Sequence, residues 1–350
     1  MKITFWWRQA SGYFDACTRA LVEAGHRVSV IYQSPTDSAP FTSLVESGFT
    51  HLESVSIWNQ RPSDAVLESS LIEEPDVLVV ASWGVWQYVR HSQRAPKTTL
   101  RLVGMDSPWR ASPRQVVGQV SHRRALRRAF DGAWVTGTQQ RVLANRLGFA
   151  TWQILDHLYC CDSNLFKAIN APEDRFDGPF LFVGRLVEQK GILELYQAYR
   201  SLRSTTGTQR PLKVIGRGLI PISREGIEVF DFTDPSQLRD HMDNAYILVH
   251  PAHLEHWGVV VHEAASMGLP MILGPRVYAG SRYLSSGRNG LYVGQSVSEL
   301  TKALLYMDEL PFSTYAKMSR ASHQLGNLLD LSSWVDNFEE GVRRLVSQRR

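Results

Sequence analysis

HPAHLEHWGVVVHEAASMGLPMI, residues His250 to Ile272, is the stretch whose reading decides the fold. Tyr246 to His250 reads as a strand, followed by a loop that holds Glu255 and by a helix that begins near Gly258. The helix stops at Gly268, because glycine with a proline close behind it ends a helix. A glycine beside a helix start leaves backbone N–H groups facing outward, ready for a phosphate or a sugar oxygen. Glu255 in the loop and Glu263 in the helix can each accept hydrogen bonds from hydroxyls of one ligand, since an ionised carboxylate only accepts. Acids are also favoured near helix starts by the dipole, so the pair taken alone has a purely structural reading too.

The stretch PFLFVGRLVEQKGILELYQAYR, Pro179 to Arg200, has the same layout. Phe180 to Val183 is a continuous apolar strand, and Gly184 ends it. Ile192, Leu195, Tyr196 and Tyr199 then recur at helical spacing. Arg185 and Lys190 fall in the strand-to-helix turn, where a doubly wound sheet places its ligands. Two cations there match the charge of a diphosphate. Between the two segments, Leu212 to Gly218 reads as the next strand and its turn, with Gly216 and Gly218 letting the backbone come close to a ligand. Val229 to Thr233 reads as the end of a further strand.

Both segments resemble those of the retaining GT-B glycosyltransferases of group 4. The first matches their E-x7-E segment, with Trp-Gly after Glu255 and Ala-Ala-Ser-Met-Gly-Leu-Pro after Glu263. The second is similar to their G-R-L-x-x-x-K-G stretch. The resemblance implies two Rossmann-like domains facing across a cleft, with a nucleotide-diphosphate sugar as donor substrate and no cofactor. Glu255 is then expected on the donor sugar, Glu263 on the ribose, and Arg185 and Lys190 on the diphosphate. Gly12, Gly216, Trp257, Gly258 and Val259 complete the expected donor site. The expected catalytic group is Glu255, Arg185, Lys190 and Asp106, and a UDP-sugar is taken as the donor.

The first half alternates strands (Lys2 to Trp7, Arg27 to Tyr32, Asp76 to Ala81, Thr99 to Gly104, Gly132 to Thr136) with helical stretches, a rhythm that implies a parallel sheet. Its opening resembles the family's, with Gly25-His26-Arg27-Val28 matching the G-H-x-V helix end. The loop Gln9 to Gly12 departs from it in having one glycine where the family often has two. Tyr159 to Phe166 resembles the interdomain segment through Asp162 and Phe166, and Asn170 to Gly178 reads as a linker. The expected domains are an acceptor-side domain over 1–165, a donor-binding domain over 166–330, and a helix over 331–350 that crosses back, with Ser332 and Ser333 at its cap.

At 350 residues the chain suits about two domains. Its hydrophobic fraction of 43% and charged fraction of 21% are ordinary for a globular protein. No apolar run approaches the roughly 18 residues needed to cross a bilayer. The opening MKITFWWRQ lacks the features of a signal peptide. Three cysteines make no disulfide framework, so a cytoplasmic setting is expected. A net charge of +4 is too small to argue for nucleic acid.

Rival chemistries share these residues. His250, His253, His256 and His262 crowd the main segment, yet no His-Glu-x-x-His is present and no metal site is expected. The absence of any Asp-x-Asp counts against the other common transferase fold, where that triplet holds a metal. Asp106, in a turn before Ser-Pro, is either a contact to sugar or acceptor or simply a turn former. Arg110, Arg114, His122, Arg123, Arg124, Arg127 and Arg128 form a basic cluster. With Leu126 and Phe130 it faces either solvent, the commoner case, or anionic membrane or an acidic acceptor. Trp6, Trp7, Trp58, Trp83, Trp86 and Trp109 suit sugar stacking but are more often core. The expected function is metal-independent transfer of a sugar, with retention, to a hydroxyl acceptor that the sequence does not name. A nucleotide-sugar epimerase on the same fold and a silent nucleotide- or sugar-binding protein are the alternatives.

Overall fold

A computed structural model describes residues 1–34, 49–59, 61–81, 83–218 and 226–349. The chain divides into two compact units. One comprises Met1–Cys160 with Asp330–Arg350, the other Cys161–Leu329.

In the first unit the strands are β1 (Lys2–Gln9), β2 (Arg27–Gln33), β3 (Ser54–Trp58), β4 (Val77–Ala81), β5 (Leu100–Met105), β6 (Gly132–Val135) and β7 (Ile154–Leu155). They form one parallel sheet in the order β3-β2-β1-β4-β5-β6-β7. Helix α1 (Gly12–Glu23) follows β1, and its N-cap Ser11 accepts a hydrogen bond from the Phe14 amide. Ile3, Phe5 and Trp6 of β1 and Val77 to Val80 of β4 are buried. Such continuous apolar strands are what a sheet covered on both faces requires. The last helix, Leu331–Arg349, belongs to this unit, with Trp334 stacked on Trp134 at 5.4 Å. Asp330, rather than Ser332 or Ser333, caps it: its carboxylate accepts from the Ser333 amide at 2.7 Å while the Ser333 hydroxyl accepts from the Asp330 amide at 3.0 Å. The Ser333 side chain is thus spent one turn earlier than the sequence suggests.

In the second unit β8 (Phe180–Val183), β9 (Leu212–Ile215), β10 (Ile227–Phe230), β11 (Ile247–His250), β12 (Met271–Leu273) and β13 (Gly290–Tyr292) make a parallel sheet. Its order is β10-β9-β8-β11-β12-β13. Each sheet therefore reverses direction once, between β1 and β4 and between β8 and β11, the order of a doubly wound dinucleotide-binding fold. The core of this unit gathers Phe180, Phe182, Tyr199, Tyr246, Val249 and Tyr315, each worth roughly 1.5–3 kcal/mol when fully buried. Their hydroxyls are satisfied inside: Tyr246 donates to the Met307 carbonyl at 2.5 Å and Tyr315 to the Tyr246 carbonyl at 3.1 Å. The polar stretch expected as a linker is tied into this unit. Arg175 is 2% exposed and donates to the Met267 carbonyl, and the Asn170 amide donates to the Asp243 carboxylate. Asp174 and Arg175 both find partners, which composition alone does not reveal.

Candidate active site

In a doubly wound sheet, ligands settle outside the carboxyl ends of the two strands that flank the reversal. In the second unit these are β8 and β11. Beyond β8, Gly184 (φ +155°) turns the chain toward Arg185, and Gly191 (φ +68°) precedes the helix Ile192–Thr206. A Cβ on Gly191 would lie 2.4 Å from the Pro251 carbonyl oxygen, so glycine is what lets this turn lie against the chain leaving β11. That approach brings Lys190 to Glu255.

Lys190 is 6% exposed, and its ammonium pairs with Glu255 Oε2. His250, the last residue of β11, is buried and stacked on Phe182, with its Nε2 3.3 Å from the same carboxylate oxygen. The His250 Nδ1 has no partner among the described residues, so the proton belongs on Nε2, which donates to Glu255. Burial pushes the Glu255 carboxyl up, but His250 and Lys190 outweigh it and hold it at about 2. The Glu255 backbone is pinned by its amide donating to Arg276 O at 3.0 Å and its carbonyl accepting from Tyr278 N at 3.3 Å. A fixed carboxylate, a buried ammonium and an imidazole thus meet at the expected ligand edge.

The helix Val259–Ser266 follows directly. Gly258 (φ +91°) starts it, and a Cβ there would lie 2.8 Å from Glu255 Cγ. The helix closes in a Schellman arrangement, with Leu269 N bonded to Ala264 O and Gly268 N to Ala265 O, around left-handed Gly268. Glu263 sits half-buried on this helix, and its carboxylate has no hydrogen-bond partner among the described residues. Burial, with the nearby Cys161 and Asp162, pushes it up to about 8. The two glutamates of one motif are therefore held in opposite states at neutral pH, Glu255 ionised and Glu263 protonated.

The other expected site residues are placed differently. The Arg185 side chain is exposed. Trp257 is 3% exposed, with its ring set edge-on to Tyr283 at 6.4 Å, so its side chain belongs to the core. Gly216 (φ +151°) serves a close approach of backbones: a Cβ would lie 1.9 Å from Gly184 O. Val259 is half-buried in the first turn of the helix. In the first unit Gly12 opens α1 beyond the carboxyl end of β1, and Asp106 follows β5. Tyr159 donates to Asp106 Oδ2 at 3.4 Å, and the Tyr13 ring lies 4.8 Å from that of Tyr159. Nothing local in the chain marks the two tyrosines or the part His250 plays.

The crowded histidines take separate partners. His253 Nε2 is 3.1 Å from Glu194, and His262 accepts from the Cys161 amide at 3.1 Å while donating to Gly326 O at 3.0 Å. Of the tryptophans, Trp6 and Trp7 are core and Trp86 is 51% exposed.

Residues 164–324 match the sequence model of the family described as glycosyl transferases group 1. That match takes in a little under half of the chain, and the solved structures similar to it show that the whole chain has the GT-B fold. It is 22% identical over 193 residues to a poly(glycerol-phosphate) alpha-glucosyltransferase of Bacillus subtilis; the match takes in 52% of this chain but only 28% of the length of that relative. The Anabaena protein HepE, solved in complex with UDP, superposes with a TM-score of 0.75 at 17% identity, over 98% of this chain and 100% of HepE. A glycosyltransferase from Rickettsia africae superposes with a TM-score of 0.74 at 14% identity, over 99% of this chain and 98% of its own.

Proposed function

We propose that the chain transfers a sugar from a nucleotide-diphosphate sugar to a hydroxyl acceptor, with retention of anomeric configuration and without a metal or other cofactor. The observation that carries this is the meeting of Lys190, Glu255 and His250 at the strand reversal beside the helix start at Gly258. An anion and a set of sugar hydroxyls are the two things such a site is built to hold. In this reading Lys190 and Arg185 take the diphosphate, Glu255 accepts from the donor sugar, and Glu263 meets the ribose. Gly258 and Val259 offer backbone N–H groups to the phosphates.

The bond from the anomeric carbon to the diphosphate oxygen breaks, and a bond from that carbon to the acceptor oxygen forms on the same face. The acceptor proton passes to the departing phosphate oxygen, so no separate protein base is needed. Lys190 and Arg185 offset the charge that develops on the leaving group, which is electrostatic catalysis. Asp106, with Tyr159 and Tyr13, is read as a contact to the acceptor. UDP is the proposed nucleotide, supported by the UDP bound to HepE, a protein of the same fold.

A thermal-shift series with UDP, GDP, ADP, CMP, dTDP and their sugars tests this, since a ligand of the folded state raises its midpoint by mass action. UDP and one UDP-sugar should stabilise the protein, and Glu263→Ala should lose most of the effect. No response to any nucleotide by a folded sample would leave the silent binding protein as the better reading.

A further inference from the structure

The helix Pro113–Ala129 carries a face that the fold does not use. Its inner side is anchored by Leu126 and Ala129, both fully buried, and Phe130 just beyond is 2% exposed. Leu126 and Phe130 are therefore core, which corrects their expected place beside the basic cluster. The apolar residues that do face outward are Val116, Val117 and Val120, at 43%, 67% and 74% exposure. Val117 and Val120 gain little burial on this solvent face, and their β-branching lowers helix propensity.

At 100° per residue, Val117, Val120, Arg124 and Arg128 share one strip of the helix. Arg114 and Arg123 are exposed beside it. Arg127 is exposed too but donates to Gly148 O and Gln153 Oε1. No acid occurs from Ser107 to Phe130. Arg127 and Arg128 suit the helix C-terminus, but the dipole does not account for Arg123, Arg124 or the valines. Trp86 lies on the flank of the same helix, its ring 6.0 Å from His122. A solvated helix face mixes charges of both signs; this one pairs a patch of exposed apolar side chains with cations alone.

We infer that residues 113–129, with Trp86, form a surface that lies on an anionic lipid bilayer, the valines at the acyl boundary and the arginines among the headgroup phosphates. Amphipathic helices lie in the interface in this way, and their binding draws on buried apolar area and on attraction to anionic lipid together. The inference is independent of the donor site.

Cosedimentation of the full chain with vesicles tests it. The protein should partition onto phosphatidylcholine vesicles containing phosphatidylglycerol, much less onto phosphatidylcholine alone, and less as salt rises. Each arginine near such a surface is worth about fivefold, so Arg124→Ala with Arg128→Ala should lower partition about 25-fold. Val117→Asp with Val120→Asp should abolish it at an unchanged thermal midpoint, because neither side chain supports the fold. Equal binding by this variant and the parent, or equal binding to both vesicle types, would overturn the inference. So would self-association without lipid that the valine variant loses, which would assign the face to a second copy of the chain.

Discussion

Replacing Glu263 by Gln should make the empty protein more stable while weakening its hold on a nucleotide, and the gain should depend on pH. Glu263 ionises near 4.5 in an unfolded chain but only at about 8 in the folded one. A group whose folded pKa is raised contributes nothing unfavourable below its unfolded value. Above 4.5 the unfolded chain releases the proton while the folded chain keeps it, so stability falls until the pH passes 8. At pH 7 the deficit is about 3 kcal/mol at 1.36 kcal/mol per unit. Water reaches part of this half-buried side chain, which reduces the figure to about 1–2 kcal/mol. Glutamine keeps the shape and does not titrate. Thermal melts of parent and Glu263→Gln at pH 5, 7 and 8.5 should nearly coincide at the lowest pH, separate by roughly 3–6 °C at pH 7, and separate further at pH 8.5, taking about 3 °C per kcal/mol for a domain of this size. A separation that does not change with pH would refute the argument, because it would mean that Glu263 is not kept protonated by the fold.

Lys190→Met leaves a largely buried Glu255 carboxylate without its cation; chemical denaturation should show a loss of about 3 kcal/mol, and Glu255→Gln in the same chain should recover part of it. Glu255 itself is depressed to about 2, so the stability it contributes is complete above about pH 4.5 and is lost as the pH falls toward 2, which acid titration followed by circular dichroism would show. Gly258→Ala forces a Cβ into Glu255 Cγ at a left-handed position, and should cost about 1–3 kcal/mol and reduce turnover beyond what the lost stability explains, read as kcat on folded protein. His250→Phe keeps the stacking on Phe182 but removes the donor to Glu255; kcat should fall about tenfold, with the acid limb of its pH profile displaced upward.

The strand-turn-helix segments were legible because each condenses its signal locally. Phe180 to Val183 is an unbroken apolar run that a glycine ends, and Gly268 with Pro270 marks one helix end. The alternation in the first half predicted its parallel sheet for the same reason. What escaped the sequence depends on distant pairing. Nothing near Lys190 announces that its partner is Glu255, sixty-five positions away, since only the reversal of the sheet makes them neighbours. His250 looked like one of four crowded histidines, yet strand geometry points it inward onto Glu255 while His253 and His262 take other partners. Trp257 sat inside the best motif and turned out to be core, because a tryptophan beside a small-residue helix packs as readily as it binds. In the basic cluster the sequence showed the charges but not the helix phase, and so named the buried Leu126 and Phe130 in place of the exposed valines.

On the proposed function, the ion pair between Lys190 and Glu255 also bears on which ligands an empty site admits. A bare anion drawn to Lys190 must pull it from Glu255, leaving a mostly enclosed carboxylate with only His250 for compensation. A ligand that carries hydroxyls alone meets the reverse obstacle, for it competes with an ammonium already in place. Only a molecule presenting negative charge and hydroxyl donors at once replaces both halves of the pair as it enters. In the function proposed above, the neutral resting pair thereby favours a ligand that brings a diphosphate and sugar hydroxyls together over a free sugar, before any contact with a nucleotide base.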